Sequence, residues 1–292
     1  MHMRIGVIAN FNRSGGEDAI QSLIDWARPK GHELLATEDV AVKFDGVFDV
    51  LPTAMVASES DLLVSMGGDG TFLASVRAVG ASGTPLLGIN LGSLGFLTQL
   101  TPEELTPALD EVAKGNYGLE ERMMLEVRVD GKPRLESPYA LNDVVVDNGP
   151  VSRIIDIELI TNGQSVVTLR ADGLILSTPT GSTAYSLACG GPIMHPKIDA
   201  IIATPISAFS LSMRPMIFAA SDVLELRIRS EHEVAGLTLD GQVNAPLMDT
   251  DRVVVSRANF RTRIVTLPQS SFYDVLKRKL HWGMTPRGRS EE

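Results

Sequence analysis

Apolar residues in the first third of the chain gather in short blocks, and between the blocks they recur at helical spacing. The run Ile5-Gly6-Val7-Ile8-Ala9-Asn10 predicts a buried strand. A turn-rich segment follows, Asn12-Arg13-Ser14-Gly15-Gly16, and then Ile20, Leu23, Ile24 and Ala27 fall at offsets of 0, 3, 4 and 7. That spacing puts all four on one face of a helix over about 17–28. Leu62-Leu63-Val64 marks a second buried strand over 61–66, followed by a helix over 72–79 and a third strand over 85–90. Strands alternating with helices imply parallel pairing through crossovers, an open and mostly parallel α/β sheet.

The pattern changes near residues 115–118, after which period-two alternation dominates. Leu125, Val127 and Val129 alternate before an Asp130-Gly131 turn, as do Ile155, Ile157 and Leu159, and Leu224, Leu226 and Ile228. Val253 to Val255 and Ile264 to Leu267 are further strand candidates. Many short alternating strands between turn residues predict a β-rich, sandwich-like second domain. The division expected is an α/β domain over 1–118, a β-rich domain over 119–268, and a return of 269–292 to the first. A last helix over 272–280, with Phe272, Val275 and Leu276 on one face, is expected to pack on the α/β domain, and 285–292 is a polar tail.

Composition narrows the class. The 292 residues are 44% hydrophobic and 21% charged, with 26 Lys and Arg against 36 Asp and Glu, a formal net charge of −10. A general nucleic-acid or anionic-membrane partner is therefore not expected. One cysteine, Cys189, excludes an internal disulfide and any Cys-x-x-Cys motif, and the five histidines form no His-Glu-x-x-His pair. The charge-free apolar region over 200–213 is broken by Pro205 and falls short of the roughly 20 residues a membrane span needs. The amino terminus shows no signal-peptide core with a cleavage site, so a soluble cytoplasmic protein is expected.

The sharpest local signal is Gly67-Gly68-Asp69-Gly70-Thr71, between a strand and a helix. Glycines there let backbone N–H groups approach an anion, and the helix N-terminus adds positive potential. The turn is neither a Walker A loop nor a Gly-x-Gly-x-x-Gly fingerprint, since Asp69 occupies the second glycine position. One reading is a plain strand–helix turn capped by Asp69. The other turns on charge: a carboxylate in a phosphate cradle repels the ligand unless it takes a proton from an attacking alcohol or holds magnesium beside the phosphates. Both tasks belong to phosphoryl transfer.

A second signal runs from Arg170 through Ala171-Asp172-Gly173 into Ser177-Thr178-Pro179-Thr180-Gly181-Ser182-Thr183-Ala184-Tyr185-Ser186. A strand meets a turn crowded with hydroxyls and then a helix near Thr183, and such a turn offers several donors. Tyr185 either packs in the core or lays its ring against a base or ribose. The pair Asn142-Asp143 is either a simple turn or a reader of an adenine edge and a ribose hydroxyl.

These motifs occur in one order: Gly67-Gly68-Asp69-Gly70, Asn90-Leu91-Gly92-Ser93-Leu94-Gly95-Phe96-Leu97, Asn142-Asp143, and the run from Asp172 to Ser186. Together they closely resemble the bacterial NAD kinases, over about residues 5–280, with the stretch from Thr178 to Gly191 the most specific. A Gly-Gly-Asp-Gly turn alone occurs in related forms in diacylglycerol and sphingosine kinases and in phosphofructokinases. The resemblance implies ATP-dependent phosphorylation of the 2′-hydroxyl of the adenosine ribose of NAD to give NADP, with Mg2+ or another divalent metal beside the ATP; no separate motif decides between ATP alone and ATP with inorganic polyphosphate as donor. It also implies an active site between the two domains and a homodimer or homotetramer.

By the same resemblance Asp69 is the base facing the 2′-hydroxyl, with Gly70 beside the nucleotide and Gly67, Gly68, Gly70 and Thr71 around the phosphates. Asn142 and Asp143 contact the adenosine half, with Asp172 nearby, and Thr183, Ala184, Tyr185, Ser186, Leu187 and Ala188 wall the NAD site. Gln242 matches a position close to the nucleotide, Arg153 a position often polar or basic, and Arg170 a position where a basic residue accompanies preference for oxidised NAD. The family usually has Asn-Glu where this chain has Asn142-Asp143, so the carboxylate is one methylene shorter and reaches the ribose through a water. Two alternatives stand beside this reading. A lipid kinase requires an acyl pocket, and a catalytically silent NAD sensor gives no reason for a carboxylate in the cradle.

Overall fold

Ile5 and Val7 are fully buried in the first strand of the computed structural model, which describes residues 2–11, 15–149, 154–229, 234–267 and 271–282. Contacts divide the chain into two units, Met1–Glu120 with Thr262–Glu292, and Glu121–Arg261.

The first unit contains β1 (Arg4–Ala9), α1 (Gly16–Ala27), β2 (Glu33–Ala36), α2 (Glu38–Ala41), β3 (Asp49–Val50), α3 (Thr53–Ser58), β4 (Leu62–Gly67), α4 (Asp69–Val79), β5 (Leu86–Asn90) and α5 (Leu105–Lys114). Its strands lie in the order β3-β2-β1-β4-β5, all parallel. Helix α1 buries the predicted face, Ile20, Leu23, Ile24 and Ala27, in one core with Ile5, Val7, Val64 and Ile89. Helix α5 adds Leu105, Ala108, Leu109 and Val112 to that core, a helical spacing present in the sequence but not read there. The elements from β2 to α3 were also missed, because at two to six residues each they are too short to show a period. The strand order reverses between β1 and β4, and open α/β sheets bind ligands beyond the carboxyl ends of strands at such a reversal. The Gly67-Gly68-Asp69-Gly70 turn leaves β4 at that point.

The second unit is built from β6 (Gly118–Val129), which enters it from the first, β7 (Tyr139–Ala140), β8 (Asp143–Asp147), β9 (Ile155–Thr161), β10 (Gln164–Ala171), β11 (Gly173–Ser177), α6 (Tyr185–Ala188), β12 (Ala200–Ile206), β13 (Met216–Ala219), β14 (Leu224–Arg229), β15 (Val234–Leu239), β16 (Val243–Met248) and β17 (Arg252–Thr266). Two antiparallel layers form, β13-β12-β11-β8-β15-β16 and β10-β9-β14-β17. The alternating residues predicted to point inward do so: Leu125, Val127, Ile157, Leu159, Leu224 and Leu226 share one core with Val144, Val146, Leu174, Leu176, Leu237 and Leu239. Because strand side chains alternate, the other face of the first layer carries Asp143, Val145, Ile175, Ser177 and Thr204.

Two boundaries differ from expectation. The candidates at 253–255 and 264–267 are one strand, β17, and the chain re-enters the first unit at Thr262 rather than 269. Ile264 already pairs with Leu86 of β5, which accounts for the earlier return. Helix α7 (Phe272–Leu280) belongs to the first unit and buries Val275 and Leu276, while the tail over 285–292 lies outside the described residues. Among the described residues no helix is long and apolar enough to cross a membrane.

Candidate active site

Asp69 opens α4 but does not cap it. Its carboxylate turns to the segment after β5 instead, where Oδ2 accepts the backbone N–H of Phe96 at 2.9 Å. Oδ1 accepts the N–H groups of Leu97 and Thr98 and the Thr98 hydroxyl, each at 3.1 Å. Asn90, the last residue of β5 and 4% exposed, folds the same segment from inside. Its amide donates to the Ser93 carbonyl at 2.9 Å and to the Thr98 hydroxyl at 3.0 Å, and its oxygen accepts the Gly92 N–H at 2.7 Å. Residues 91–98, read in the sequence only as a motif, are thus a loop wrapped around the Asp69 carboxylate. Gly95 is required by that contact, since a Cβ there would overlap Asp69 Oδ1. The helix-cap reading of Asp69 is set aside by these four bonds.

In the second unit three separate sequence motifs meet. The turn Leu141-Asn142-Asp143 presents its N–H groups to one carboxylate, that of Asp240. Leu141 donates to Oδ2 at 3.0 Å, and Asn142 and Asp143 donate to Oδ1 at 2.7 and 3.1 Å. Asp240 returns its own N–H to the Asp143 carbonyl at 2.9 Å. On the other side the Thr178 N–H donates to the Asn142 carbonyl at 2.9 Å and the Thr178 hydroxyl to the Leu141 carbonyl. Gly181 lies so close that a Cβ would overlap the Asn142 carbonyl oxygen. The backbone of this turn is fully engaged, whereas the Asn142 and Asp143 side chains make no hydrogen bond among the described residues.

Around Asp143 the sheet face is confined and mixes polar side chains with an apolar cluster of Val145, Ile175 and Ile206. Ser177 stands opposite Asp143 in register, fully buried, with a hydroxyl that finds no partner among the described residues. Burial and, second, the Asp240 carboxylate push the Asp143 carboxyl up to about 7. Tyr185, 46% exposed and so not the core residue of the alternative reading, is raised by burial and then by Cys189, whose thiol hydrogen-bonds it, and by the charges of Asp147 and Asp172. Cys189 packs against Val145, Ile175 and Ile206, and burial raises its thiol too. Asp172 accepts from the Asn148 amide at 3.3 Å, and Ser186 shares a hydrogen bond of 2.8 Å with Thr204.

The family model of the ATP-NAD kinase N-terminal domain matches residues 5–117, and that of the ATP-NAD kinase C-terminal domain matches residues 141–267. The chain belongs to the NAD kinase family. It is 40% identical to the NAD kinase of Geotalea daltonii over 285 residues, 96% of this chain and 99% of that one. Identity to the NAD kinase of Geobacter sulfurreducens is also 40%, over 281 residues, with 96% and 99% covered. Yeast NADH kinase complexed with NADH matches with a TM-score of 0.88 at 25% identity, over 97% of this chain and 89% of that chain. An NAD kinase from Archaeoglobus fulgidus in complex with ATP matches at 0.76 and 24% identity, over 96% and 99%, a likeness of fold.

Within this NAD kinase fold the expected residues fall into groups. Asn142, Asp143 and Gly181 to Ser186 gather in the second unit, with Thr183 and Ala184 half-buried and Leu187 and Ala188 on the short helix α6. Gly67, Gly68, Asp69, Gly70 and Thr71 form the β4–α4 turn of the first unit. Gln242 is exposed on the β15–β16 hairpin. Arg170 is exposed on β10 and ion-paired with Asp156 of β9 at 3.3 Å, outside the cluster around Asn142. Arg153 lies outside the described residues. Asp240 and Thr98 were missed as contributors. Asp-Gly between two alternating strands was the available signal for a hairpin turn at Asp240, and nothing local distinguishes Thr98.

Proposed function

We propose that this chain transfers the terminal phosphoryl group of ATP to the 2′-hydroxyl of the adenosine ribose of NAD, with Asp69 as general base. The observation that carries the base assignment is the set of four donors on Asp69. They fix the carboxylate, and they fall unevenly on it: Oδ1 takes three and Oδ2 one, so Oδ2 is the oxygen left to accept a substrate hydroxyl. The hydroxyl proton passes to Oδ2 as the ribose oxygen bonds to phosphorus, and ADP leaves with the electrons of the broken P–O bond. The amino end of α4 and the glycine-rich turn favour the charge that gathers on the transferred phosphoryl oxygens. Asn142 and Asp143, whose side chains are held out by a fully bonded backbone, bind the adenosine half.

Among the described residues no group of three or more His, Cys, Asp or Glu is placed to hold a metal ion. That is compatible with a magnesium ion carried by the phosphates of ATP and water, with one or two protein carboxylates at most, rather than with a protein cage. When bound with ATP, the ion screens phosphate charge. Cytoplasmic location, a homodimer or homotetramer, and polyphosphate as a second donor complete the proposal. The test incubates purified protein with NAD, magnesium and either ATP or polyphosphate, and assays NADP. Asp69→Asn is expected to lower turnover by at least about 100-fold while NAD affinity stays within about tenfold. Near-normal turnover of that variant would falsify the base assignment.

A further inference from the structure

Asp240 sits in the turn between β15 and β16, where both Asp240 (φ 50°) and Gly241 (φ 66°) are left-handed. Two consecutive positive φ values define the tight hairpin that Asp-Gly favours, and they fold the Asp240 side chain back over the start of β8. The ladder between β15 and β8 runs from Gly236 opposite Asp147 to Leu239 opposite Val144. Beyond it the carboxylate takes over, collecting the next three N–H groups, those of Asp143, Asn142 and Leu141.

This arrangement carries an electrostatic cost. Asp240 is 7% exposed and Asp143 is 4% exposed, and the charge of Asp240 helps to drive the Asp143 carboxyl towards its neutral form. Terminating a strand requires no buried anion, since a neutral Asn or Ser accepts N–H groups at a strand end without repelling a neighbour. What a carboxylate adds is three charge-assisted bonds to one rigid turn, which fix the backbone that carries the Asn142 and Asp143 side chains.

We infer that Asp240 is the positioning residue for recognition of the adenosine half of NAD: by gathering the Leu141, Asn142 and Asp143 N–H groups, it sets the direction in which the Asn142 and Asp143 side chains leave the turn. The inference rests on the reading of those two side chains as NAD contacts. Asp240 itself touches no substrate.

Two variants test it. Asp240→Asn removes the charge and turns an N–H donor toward one of the three N–H groups, while Asp240→Glu keeps the charge and displaces it by one methylene. NAD affinity by calorimetry, KM for NAD and for ATP, kcat at saturating NAD, and the melting temperature are measured for both, with Asn142→Ala in parallel. The expected result is a rise of at least about tenfold in Kd and KM for NAD in each Asp240 variant that folds, with KM for ATP within about twofold and kcat within about threefold. If Asn142→Ala weakens NAD binding but the Asp240 variants lower only the melting temperature or kcat, the inference is overturned. If Asn142→Ala leaves NAD affinity untouched, the reading of the turn as an NAD site fails first. Should Asp240→Asn not fold, Asp240→Glu decides by the same criterion. Should neither variant fold, Asp240 is a residue of global stability and the inference is likewise overturned.

Discussion

The hydroxyl of Thr98 accepts a hydrogen bond from the Asn90 amide at 3.0 Å and donates its own hydrogen to Asp69 Oδ1 at 3.1 Å. A hydroxyl has one hydrogen to give, so the Asn90 bond commits that hydrogen to the carboxylate. The end of β5 is thereby connected to the carboxylate at the start of α4 through a residue that is fully buried.

Thr98→Val keeps the shape of the side chain and deletes the donor. A hydrogen bond to a charged group contributes about 1.5–3 kcal/mol, and the loss falls on the placement of Asp69 rather than on nucleotide binding. The expected outcome is a fall in kcat of roughly tenfold to a hundredfold, with KM for NAD and ATP within about threefold. Thr98→Ser, which retains the hydroxyl, is expected to keep kcat within about threefold of the parent. Equal kinetics for Thr98→Val and the parent would remove Thr98 from the account.

Gly95 and Gly181 give a paired test, because a methyl group at each disturbs a different set of the proposed site residues, Asp69 in the first unit and Asn142 in the second. At Gly95 a Cβ collides with Asp69 Oδ1, so Gly95→Ala displaces the carboxylate or the loop. Turnover is expected to fall at least about 100-fold with NAD affinity preserved. At Gly181 the collision is with the backbone oxygen of Asn142, which cannot rotate away as a side chain can. Gly181→Ala is expected to weaken NAD at least about tenfold, and overpacking is expected to destabilise either variant by about 1–3 kcal/mol. Calorimetric titration with NAD beside steady-state kinetics separates the two. An identical profile for both variants would count against two separable contributions.

What could be read from the sequence follows from the range of the interactions. The α1 face at Ile20, Leu23, Ile24 and Ala27, and the inward residues of β9 and β14, were legible because burial imposes a local period. The Gly67-to-Thr71 turn was legible as a motif because its glycines and its carboxylate lie within five residues of chain, whereas Asn142-Asp143 stood out only through the resemblance. Asp240 reaches Asn142 across 98 positions and Thr98 reaches Asp69 across 29, and no local pattern announces such a pairing. The cap stood as the alternative reading of Asp69 for the same reason. Spacing placed a carboxylate at a helix start, where it suits the dipole, but three N–H groups on a distant loop and one hydroxyl hold it more firmly than its own helix end does.

The Asp143 carboxyl makes stability depend on pH in a direction opposite to that of an ordinary ion-paired aspartate. Burial, with the Asp240 carboxylate second, holds it at about 7, above its ordinary value of 3.8, and the other titratable neighbour that senses it, Cys189, has a thiol raised by burial and so stays neutral. Between about pH 4 and pH 7 the folded protein keeps a proton that the unfolded chain has already released. Stability therefore declines as pH rises through that window, and the full cost is present above pH ~7. Asp143→Asn is isosteric and removes the titration. The expected outcome is a variant that melts on the order of 5 °C above the parent at pH ~8, with the advantage shrinking toward zero at pH ~4. A melting difference that stays constant over this range would show that Asp143 ionises alike in the folded and unfolded chain, and would take with it the electrostatic coupling to Asp240.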